Sequence, residues 1–186
     1  MRIALVPGTW STADPWWRDG LFLEALKARA HTVVSVPWDT ELDVLPPYAT
    51  WRRAAALFTD LATAFAPEVV IPHSHGGNVV ALALSLGSLW VPHLITVVTP
   101  PRHDLFPVYE AARSHIGMWR HLYSDRDWWS RLGSLFDGAI SLERAMPQAD
   151  CNIYVPGLGH AAGAWFDPDL WTRRHWWKWL DASATA

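Results

Sequence analysis

The sequence predicts an α/β fold with three layers, α/β/α, around a mostly parallel sheet of about six strands. The periodicity of apolar residues switches regularly between a strand-like and a helix-like repeat along the chain. The strand candidates are separated by stretches long enough for the crossover helices that parallel pairing requires. A chain of 186 residues has the length of one domain. We therefore expect residues 1–186 to form a single domain.

The strand candidates are short runs of β-branched or apolar residues, mostly bounded by Pro, Gly or Asp. They are Arg2–Val6, Thr32–Val36, Val69–Ile71, Leu94–Val98, Trp119–Tyr123 and Asn152–Val155. In a parallel sheet, reactive side chains collect in the loops that follow the carboxyl ends of the strands. Candidate functional residues are therefore expected in those loops.

Helices are predicted between the strands. The clearest is Tyr48–Ala66, where apolar residues recur at spacings of three and four and Pro67 ends the pattern. The other candidates are Pro15–Arg29, Gly76–Ser85, Phe106–Ser114, Leu142–Met146 and Pro168–Leu180. Together with the strands, these helices give the alternating order that is typical of a parallel α/β domain.

The composition excludes several classes of function. The formal net charge is −3, without a run of like charges, so no nucleic-acid partner is expected. Nothing approaches about 18 uninterrupted apolar residues, which predicts a soluble, cytoplasmic protein without stable membrane insertion. The basic, Trp-rich segment 173–179 could instead lie on a membrane surface. A single cysteine, Cys151, cannot form an intrachain disulfide.

The loop after the third strand carries the candidate nucleophile. Residues 72–78 read P-H-S-H-G-G-N and run directly into a predicted helix. A serine between strand and helix, followed two residues later by glycine, indicates a strained turn that exposes the hydroxyl group. The candidate is Ser74. Its neighbours His73 and His75 are expected to point away from it in such a turn and to have structural or rim roles. They form a His-x-His pair, but the residues that follow provide no further ligand, so no metal is expected, and the serine chemistry needs no cofactor.

This motif resembles the nucleophile elbow of the α/β-hydrolase family, which reads G-x-S-x-G. Pro72 stands where the family usually has its first glycine, and proline is tolerable there because the strand is ending. The resemblance implies a serine nucleophile followed along the chain by an acid and then a histidine. It also implies a minimal form of the fold, because Thr99–Met118 is too short and too rich in proline to supply a helical cap.

The resemblance identifies the remaining site residues. Gly157-x-Gly159-His160 after the last strand is similar to the family's histidine loop, which makes His160 the candidate base. The Ser124-x-x-Asp127 phrase makes Asp127 the candidate acid, with Asp125 as the alternative.

The loop after the first strand is the candidate for the oxyanion hole. Pro7-Gly8-Thr9 is similar to the family's oxyanion loop, so the backbone N–H groups of Thr9 and His75 are expected to hold an oxyanion.

Tryptophan is unusually abundant, at 14 residues. Five tryptophans follow strand ends and are expected to form an apolar rim around the site: Trp10, Trp38, Trp128, Trp129 and Trp165. Seven others are expected to pack on the sheet from helices: Trp16, Trp17, Trp51, Trp171, Trp176, Trp177 and Trp179.

The combined pattern predicts a serine hydrolase that cleaves small-molecule carboxylic esters, with short acyl or aromatic groups, through an acyl-enzyme. Two alternatives remain: an acyltransferase that uses the same three residues, and a non-catalytic binding module with the same fold. The sequence leaves the oligomeric state open.

Overall fold

A six-stranded sheet forms the centre of the fold, and every pair of neighbouring strands is parallel. The computed structural model describes residues 1–9, 16–38, 48–127, 138–141 and 144–181. The strands are β1 (Arg2–Val6), β2 (Thr32–Ser35), β3 (Val69–Pro72), β4 (Val91–Val97), β5 (Ile116–Tyr123) and β6 (Cys151–Tyr154). They lie in the order β2-β1-β3-β4-β5-β6 across the sheet. The predicted fold class is confirmed, and the sheet is parallel throughout.

Helices follow the strands along the chain. They are α1 (Leu21–Ala28), α2 (Tyr48–Phe65), α3 (Gly76–Ser85), α4 (Phe106–Arg113), α5 (Ala162–Trp165), α6 (Pro168–Arg173) and α7 (Lys178–Asp181). A short 3₁₀ helix, His103–Leu105, leads into α4. Pro107 lies in the first turn of α4, where its missing N–H group has no helical partner in any case.

The helices cover both faces of the sheet because successive strand residues point to opposite sides. On β1, Ala4 and Val6 pack with α2, α3 and α4, whereas Ile3 and Leu5 pack with α1 and the C-terminal helices. Both sets of side chains are fully buried. The result is the predicted α/β/α arrangement, with one apolar core on each face.

The order of the strands creates a crevice at one edge of the sheet. From β1 the chain passes to β2 on one side, and it later returns to β3 on the other side of β1. The helix after β1 packs on one face and the helix after β3 packs on the opposite face. The loops that follow β1 and β3 therefore lead to opposite faces of the sheet and separate at the carboxyl ends of these strands. This is where ligands bind in open α/β sheets.

The predicted C-terminal helix is divided into α6 and α7. His175 adopts a left-handed backbone conformation, with φ 57°, between the two helices. This turn brings the rings of Trp176 and Trp177 onto the sheet, where they are buried. The helix over Pro168–Leu180 is therefore wrong in extent, because burial of these rings outweighs the continuity of the helix.

The predicted helix over Leu142–Met146 is wrong for the residues that the structure describes, 144–146, which form no helix. The side chain of Asn152 bonds to both the N–H group and the carbonyl oxygen of Met146, at 2.8 and 3.0 Å. Pro147 also disfavours a helical conformation at Met146. These contacts hold Met146 beside β6.

The helix-associated tryptophans pack as the sequence predicts. Six of the seven are buried: Trp16, Trp17, Trp51, Trp171, Trp176 and Trp177. Trp51 lies in the core on the face of α2, whereas the other five lie in the core on the opposite face, against which Trp179 is partly buried. Trp16 and Trp17 lie in the turn before α1 rather than in a helix. Among the described parts of the chain, no helix is long and apolar enough to cross a bilayer.

Acid is expected to destabilise the protein through His121. This side chain is fully buried; its Nε2 donates to the carbonyl oxygen of Arg144 at 2.8 Å, and its Nδ1 lies 2.8 Å from Oγ1 of Thr96. Burial lowers the pKa of His121 from 6.5 to about 4. Between about pH 6.5 and pH 4, His121 is therefore protonated in the unfolded chain but neutral in the folded chain. The free energy of unfolding falls as the pH drops through this range.

The contribution of His121 between pH 7.5 and 4.5 is on the order of 2–3 kcal/mol. Urea unfolding of the wild type and of His121→Gln at both pH values measures it. The variant is expected to be less stable at pH 7.5 but to lose less stability on acidification. Equal losses in the two proteins would contradict this assignment.

Candidate active site

The turn after β3 places Ser74 at the crevice between β1 and β3. Ser74 has φ 52°, a left-handed conformation that costs energy for a non-glycine residue. Its N–H group donates to the carbonyl oxygen of Val97 at 2.9 Å, which holds the turn against β4. This backbone is the strained strand-to-helix turn that the sequence predicts.

Glycine at position 76 makes the turn possible. A Cβ atom there would lie 2.5 Å from the carbonyl oxygen of Val6 and 2.6 Å from that of Pro7. A side chain would therefore push α3 away from the end of β1. Pro72 ends β3 opposite Val6, where its missing N–H group costs little because the ladder stops at the next residue.

Ser74, His160 and Asp127 form a continuous chain of hydrogen bonds. The Oγ atom of Ser74 lies 2.8 Å from Nε2 of His160, and Nδ1 of His160 lies 2.9 Å from Oδ1 of Asp127. A carboxylate accepts a hydrogen bond, so the geometry assigns the hydrogen to Nδ1 and leaves Nε2 free to accept the serine hydroxyl hydrogen. The structure brings together the three side chains predicted from the sequence.

The two candidate acids differ in their burial. Asp127 is 3% exposed, whereas Asp125 is exposed to solvent. Asp125 instead accepts a long hydrogen bond of 3.5 Å from the N–H group of Gly157, in the loop that carries His160. Of the two carboxylates, Asp127 is the one that contacts His160 in the structure.

The loop between β6 and α5 holds His160 over the sheet. Gly157 turns this loop with φ 83°, which a residue with a side chain rarely adopts. The indole N–H group of Trp165 donates to the carbonyl oxygen of Gly159 at 2.7 Å. The loop is thus fixed immediately before His160 by a residue of α5.

The loop after β1 lies directly against the nucleophile. A Cβ atom on Gly8 would stand 2.6 Å from Cβ of Ser74, so only glycine permits this approach. Oγ1 of Thr9 and Nδ1 of His75 are 2.8 Å apart, which joins the two residues predicted to form the oxyanion hole. His75 precedes α3, so its N–H group lies at the positive end of the helix dipole.

His73, on the other side of Ser74, is also part of the site. Its Nε2 lies 3.0 Å from the carbonyl oxygen of His160, and the two imidazole rings are 5.3 Å apart. Burial, assisted by the charge of His160, lowers the pKa of His73 from 6.5 to about 3. The sequence predicts a structural or rim role for His73, and no sequence signal distinguishes a buried histidine from one that contacts the base.

Two tryptophans of the predicted rim are buried. Trp38 is 7% exposed and donates from Nε1 to the carbonyl oxygen of Pro7 at 2.8 Å, while Trp165 is 1% exposed. Each indole N–H group holds a loop, and the contact of these two rings with a substrate stays a prediction. Trp10, Trp128 and Trp129 lie outside the described residues.

The segment between β4 and β5 contributes no cap over the site. Its helix, α4, packs against α3, and the hydroxyl group of Tyr109 donates to Oδ1 of Asn78 at 2.9 Å. Both side chains are buried. In the described part of the chain, no three His, Cys, Asp or Glu side chains group closely enough to hold a metal ion.

Solved structures resemble this chain over most of its length. An α/β hydrolase enzyme, MGS-MChE2, from a metagenome of lagoon sediments at Mar Chica, Morocco, is 14% identical with a TM-score of 0.56, covering 98% of this chain and 92% of the other. A Xanthomonas campestris protein assigned to the α/β superfamily of hydrolases is 18% identical with a TM-score of 0.60, covering 89% and 91%.

A Thermoplasma acidophilum protein described as a predicted CIB-like hydrolase is 14% identical with a TM-score of 0.61, covering 94% of this chain and 83% of the other. No family model and no curated protein matches the sequence. The identities are low, so the likeness concerns the arrangement of the chain. Taken with the parallel sheet and the turn at Ser74, it shows that the chain has the α/β-hydrolase fold.

Proposed function

We propose that this protein is a serine hydrolase that cleaves carboxylic esters through an acyl-enzyme intermediate. The observation that carries the proposal is the unbroken hydrogen-bond chain from Ser74 through His160 to Asp127. A serine hydroxyl is a weak nucleophile at neutral pH and needs a neighbouring base. His160 is in contact with that hydroxyl, and a buried carboxylate orients its ring.

In the first step, Oγ of Ser74 attacks the ester carbonyl carbon while Nε2 of His160 takes the hydroxyl proton. The tetrahedral intermediate then collapses, and the imidazolium of His160 gives the proton to the departing alcohol oxygen. In the second step, His160 takes a proton from water while the water oxygen attacks the acyl carbon. The second tetrahedral intermediate then collapses, the bond from the acyl carbon to Oγ breaks, the carboxylic acid leaves, and His160 returns the proton to Ser74. Asp127 stabilises the imidazolium in both steps.

The negative charge on the intermediate needs hydrogen-bond donors that are already in place. We assign this role to the backbone N–H groups of Thr9 and His75. Support comes from the close approach of Gly8 to Ser74 and from the bond between the side chains of Thr9 and His75. The loss of one donor from such a hole costs about 10²–10³ in turnover.

The proposed substrates carry short acyl groups. No helix from the β4–β5 segment covers Ser74, so this segment forms no deep tunnel. Each extra methylene would be worth up to about 0.8 kcal/mol in a deep apolar pocket. Specificity should therefore level off at roughly two to six carbons of acyl chain.

A series of p-nitrophenyl esters with increasing acyl length tests the proposal, with Ser74→Ala as the matched control. The wild type is expected to hydrolyse the short esters, and Ser74→Ala to lose this activity. Equal hydrolysis by both proteins, or none by the wild type, would contradict the proposed function. A steady rise in specificity to about twelve carbons would contradict the short-acyl assignment alone.

A further inference from the structure

The imidazole of His73 bonds to the backbone of the proposed base. Its Nε2 lies 3.0 Å from the carbonyl oxygen of His160, while the ring of His160 contacts Ser74 and Asp127. A carbonyl oxygen can only accept a hydrogen bond, so Nε2 of His73 must carry the hydrogen. His160 is consequently held both at its ring and at its backbone carbonyl.

The ring of His73 has little freedom to move. It is 6% exposed and meets the rings of Trp16 and Phe166 edge-on, at centroid distances of 6.2 and 5.8 Å. Those two rings stack on each other at 3.6 Å, with their planes 3° apart. The backbone N–H group of His73 donates to the carbonyl oxygen of Val6 at 3.0 Å. Both the backbone and the side chain of His73 are therefore fixed.

The surroundings of His73 also determine the charge of its ring. The titratable groups that act on His73 are His160, Asp127 and His75, and burial outweighs the carboxylate of Asp127. The pKa of His73 falls to about 3, so its ring is neutral at ordinary pH. When His160 becomes an imidazolium during turnover, the ring beside it adds no second positive charge.

We propose that His73 is a positioning residue whose Nε2–H group holds the carbonyl of His160 and thereby keeps the imidazole of His160 between Ser74 and Asp127. This role rests on the proposed function, since His160 must act as the base for the position of its ring to affect turnover. The bond itself, however, can be tested without any substrate.

Two substitutions at His73 separate the hydrogen bond from simple packing. His73→Leu fills much of the space without a donor, whereas His73→Gln keeps an amide N–H group within reach of the same carbonyl. We expect His73→Leu to lower kcat by roughly 10- to 100-fold with KM within about twofold, because a small displacement of a catalytic group has effects of this size. His73→Gln should recover kcat to within about threefold of the wild type.

His93→Leu is the matched control for the loss of a partly buried histidine. His93 lies near the start of β4, opposite Val69, at the far end of the sheet from Ser74. Its replacement is expected to leave kcat and KM unchanged. A similar fall in kcat for His93→Leu and His73→Leu would mean that general destabilisation, rather than the bond to His160, causes the loss.

Nuclear magnetic resonance tests the bond independently of activity. In the wild type, the ring ¹⁵N shifts of His73 should show a hydrogen on Nε2 and no titration down to about pH 5. The deshielded Nδ1–H proton of His160 should weaken in His73→Leu and return in His73→Gln. A hydrogen on Nδ1 of His73, or titration near pH 6.5, would overturn the proposal.

The outcomes distinguish this proposal from the proposed function. If the wild type hydrolyses esters and His73→Leu keeps full kcat, the positioning role fails alone. If the wild type hydrolyses no ester, the proposed function fails, and the resonances of His73 and His160 still decide whether the bond exists. Should His73→Leu not fold, His73→Gln and the wild-type spectra decide the proposal.

Discussion

His160→Ala is expected to lower kcat by about 10⁵-fold or more, a loss comparable to that of Ser74→Ala. The substitution removes the imidazole that contacts the hydroxyl group of Ser74, and with it the proposed base and the proposed proton donor to the leaving alcohol. Donors at Thr9 and His75 would remain, so a small residual rate above the uncatalysed reaction should persist. Initial rates with a short p-nitrophenyl ester measure the loss.

His175→Asn is the matched control for this substitution. His175 is exposed, and its left-handed backbone is one that asparagine also adopts readily. The control should retain the kcat of the wild type. If His160→Ala kept more than about a tenth of the wild-type kcat, His160 would not be the base.

Asp127→Asn is expected to lower kcat by about 10³–10⁴-fold. The amide of asparagine can donate to Nδ1 of His160, which would place the ring hydrogen on Nε2 and leave that atom unable to accept the proton of Ser74. Side-chain volume and burial change little, so the effect should fall on kcat more than on stability.

Asp125→Asn tests whether Asp125, rather than Asp127, is the acid that orients His160. Asp125 is exposed, and its carboxylate accepts a long hydrogen bond from the N–H group of Gly157 in the loop of His160. A loss of less than about tenfold is expected, because an exposed, long hydrogen bond contributes little. Equal losses at the two positions, or a larger loss at Asp125, would remove Asp127 from the proposed role.

Strand and helix order could be predicted because each element carries its own local pattern. The first and last residues of each element are harder to predict. β4 begins at Val91 and includes Pro92, whereas the predicted strand starts at Leu94. Proline argues against a strand interior but is tolerated near its beginning. β5 likewise begins at Ile116 rather than Trp119 because it pairs with the early residues of β4. Such pairing is a tertiary contact that a local pattern does not contain.

In the C-terminal region, the extent of a helix could not be predicted from the sequence. The spacing of its tryptophans suits one long helix, yet the chain turns at His175 so that Trp176 and Trp177 reach the apolar core. Propensity for a single helix is a weak preference per residue, whereas burial of an aromatic ring is a large favourable term. The apolar surface that buries Trp176 and Trp177, and so favours the interrupted helix, is formed by α1, α5 and the sheet. A local sequence pattern does not contain this surface.

The main residues of the candidate site could be predicted because their chemistry requires a fixed order along the chain. Ser74 is marked by the turn and its glycine, and His160 by the glycine-containing loop after the last strand. The Ser-x-x-Asp motif favours Asp127 over Asp125, and in the structure the carboxylate of Asp127 lies 2.9 Å from Nδ1 of His160. In each case the local sequence contains the signal.

The surroundings of the site could not be predicted in the same way. A tryptophan after a strand can line a pocket or anchor a loop, and Trp38 and Trp165 do the second. The choice depends on whether a carbonyl oxygen lies within reach of the indole N–H group, which only the folded chain decides. The contact of His73 with His160 spans 87 residues and has no local signature.

A covalent label from a fluorophosphonate, located by intact mass and peptide mapping, tests whether Ser74 is the nucleophile. We expect one label on Ser74, no label at this position in Ser74→Ala, and much slower labelling in His160→Ala. The same rate of labelling in the wild type and in His160→Ala would show that Ser74 is not activated by His160. Absence of a label on Ser74 in a protein that hydrolyses esters would contradict the central claim.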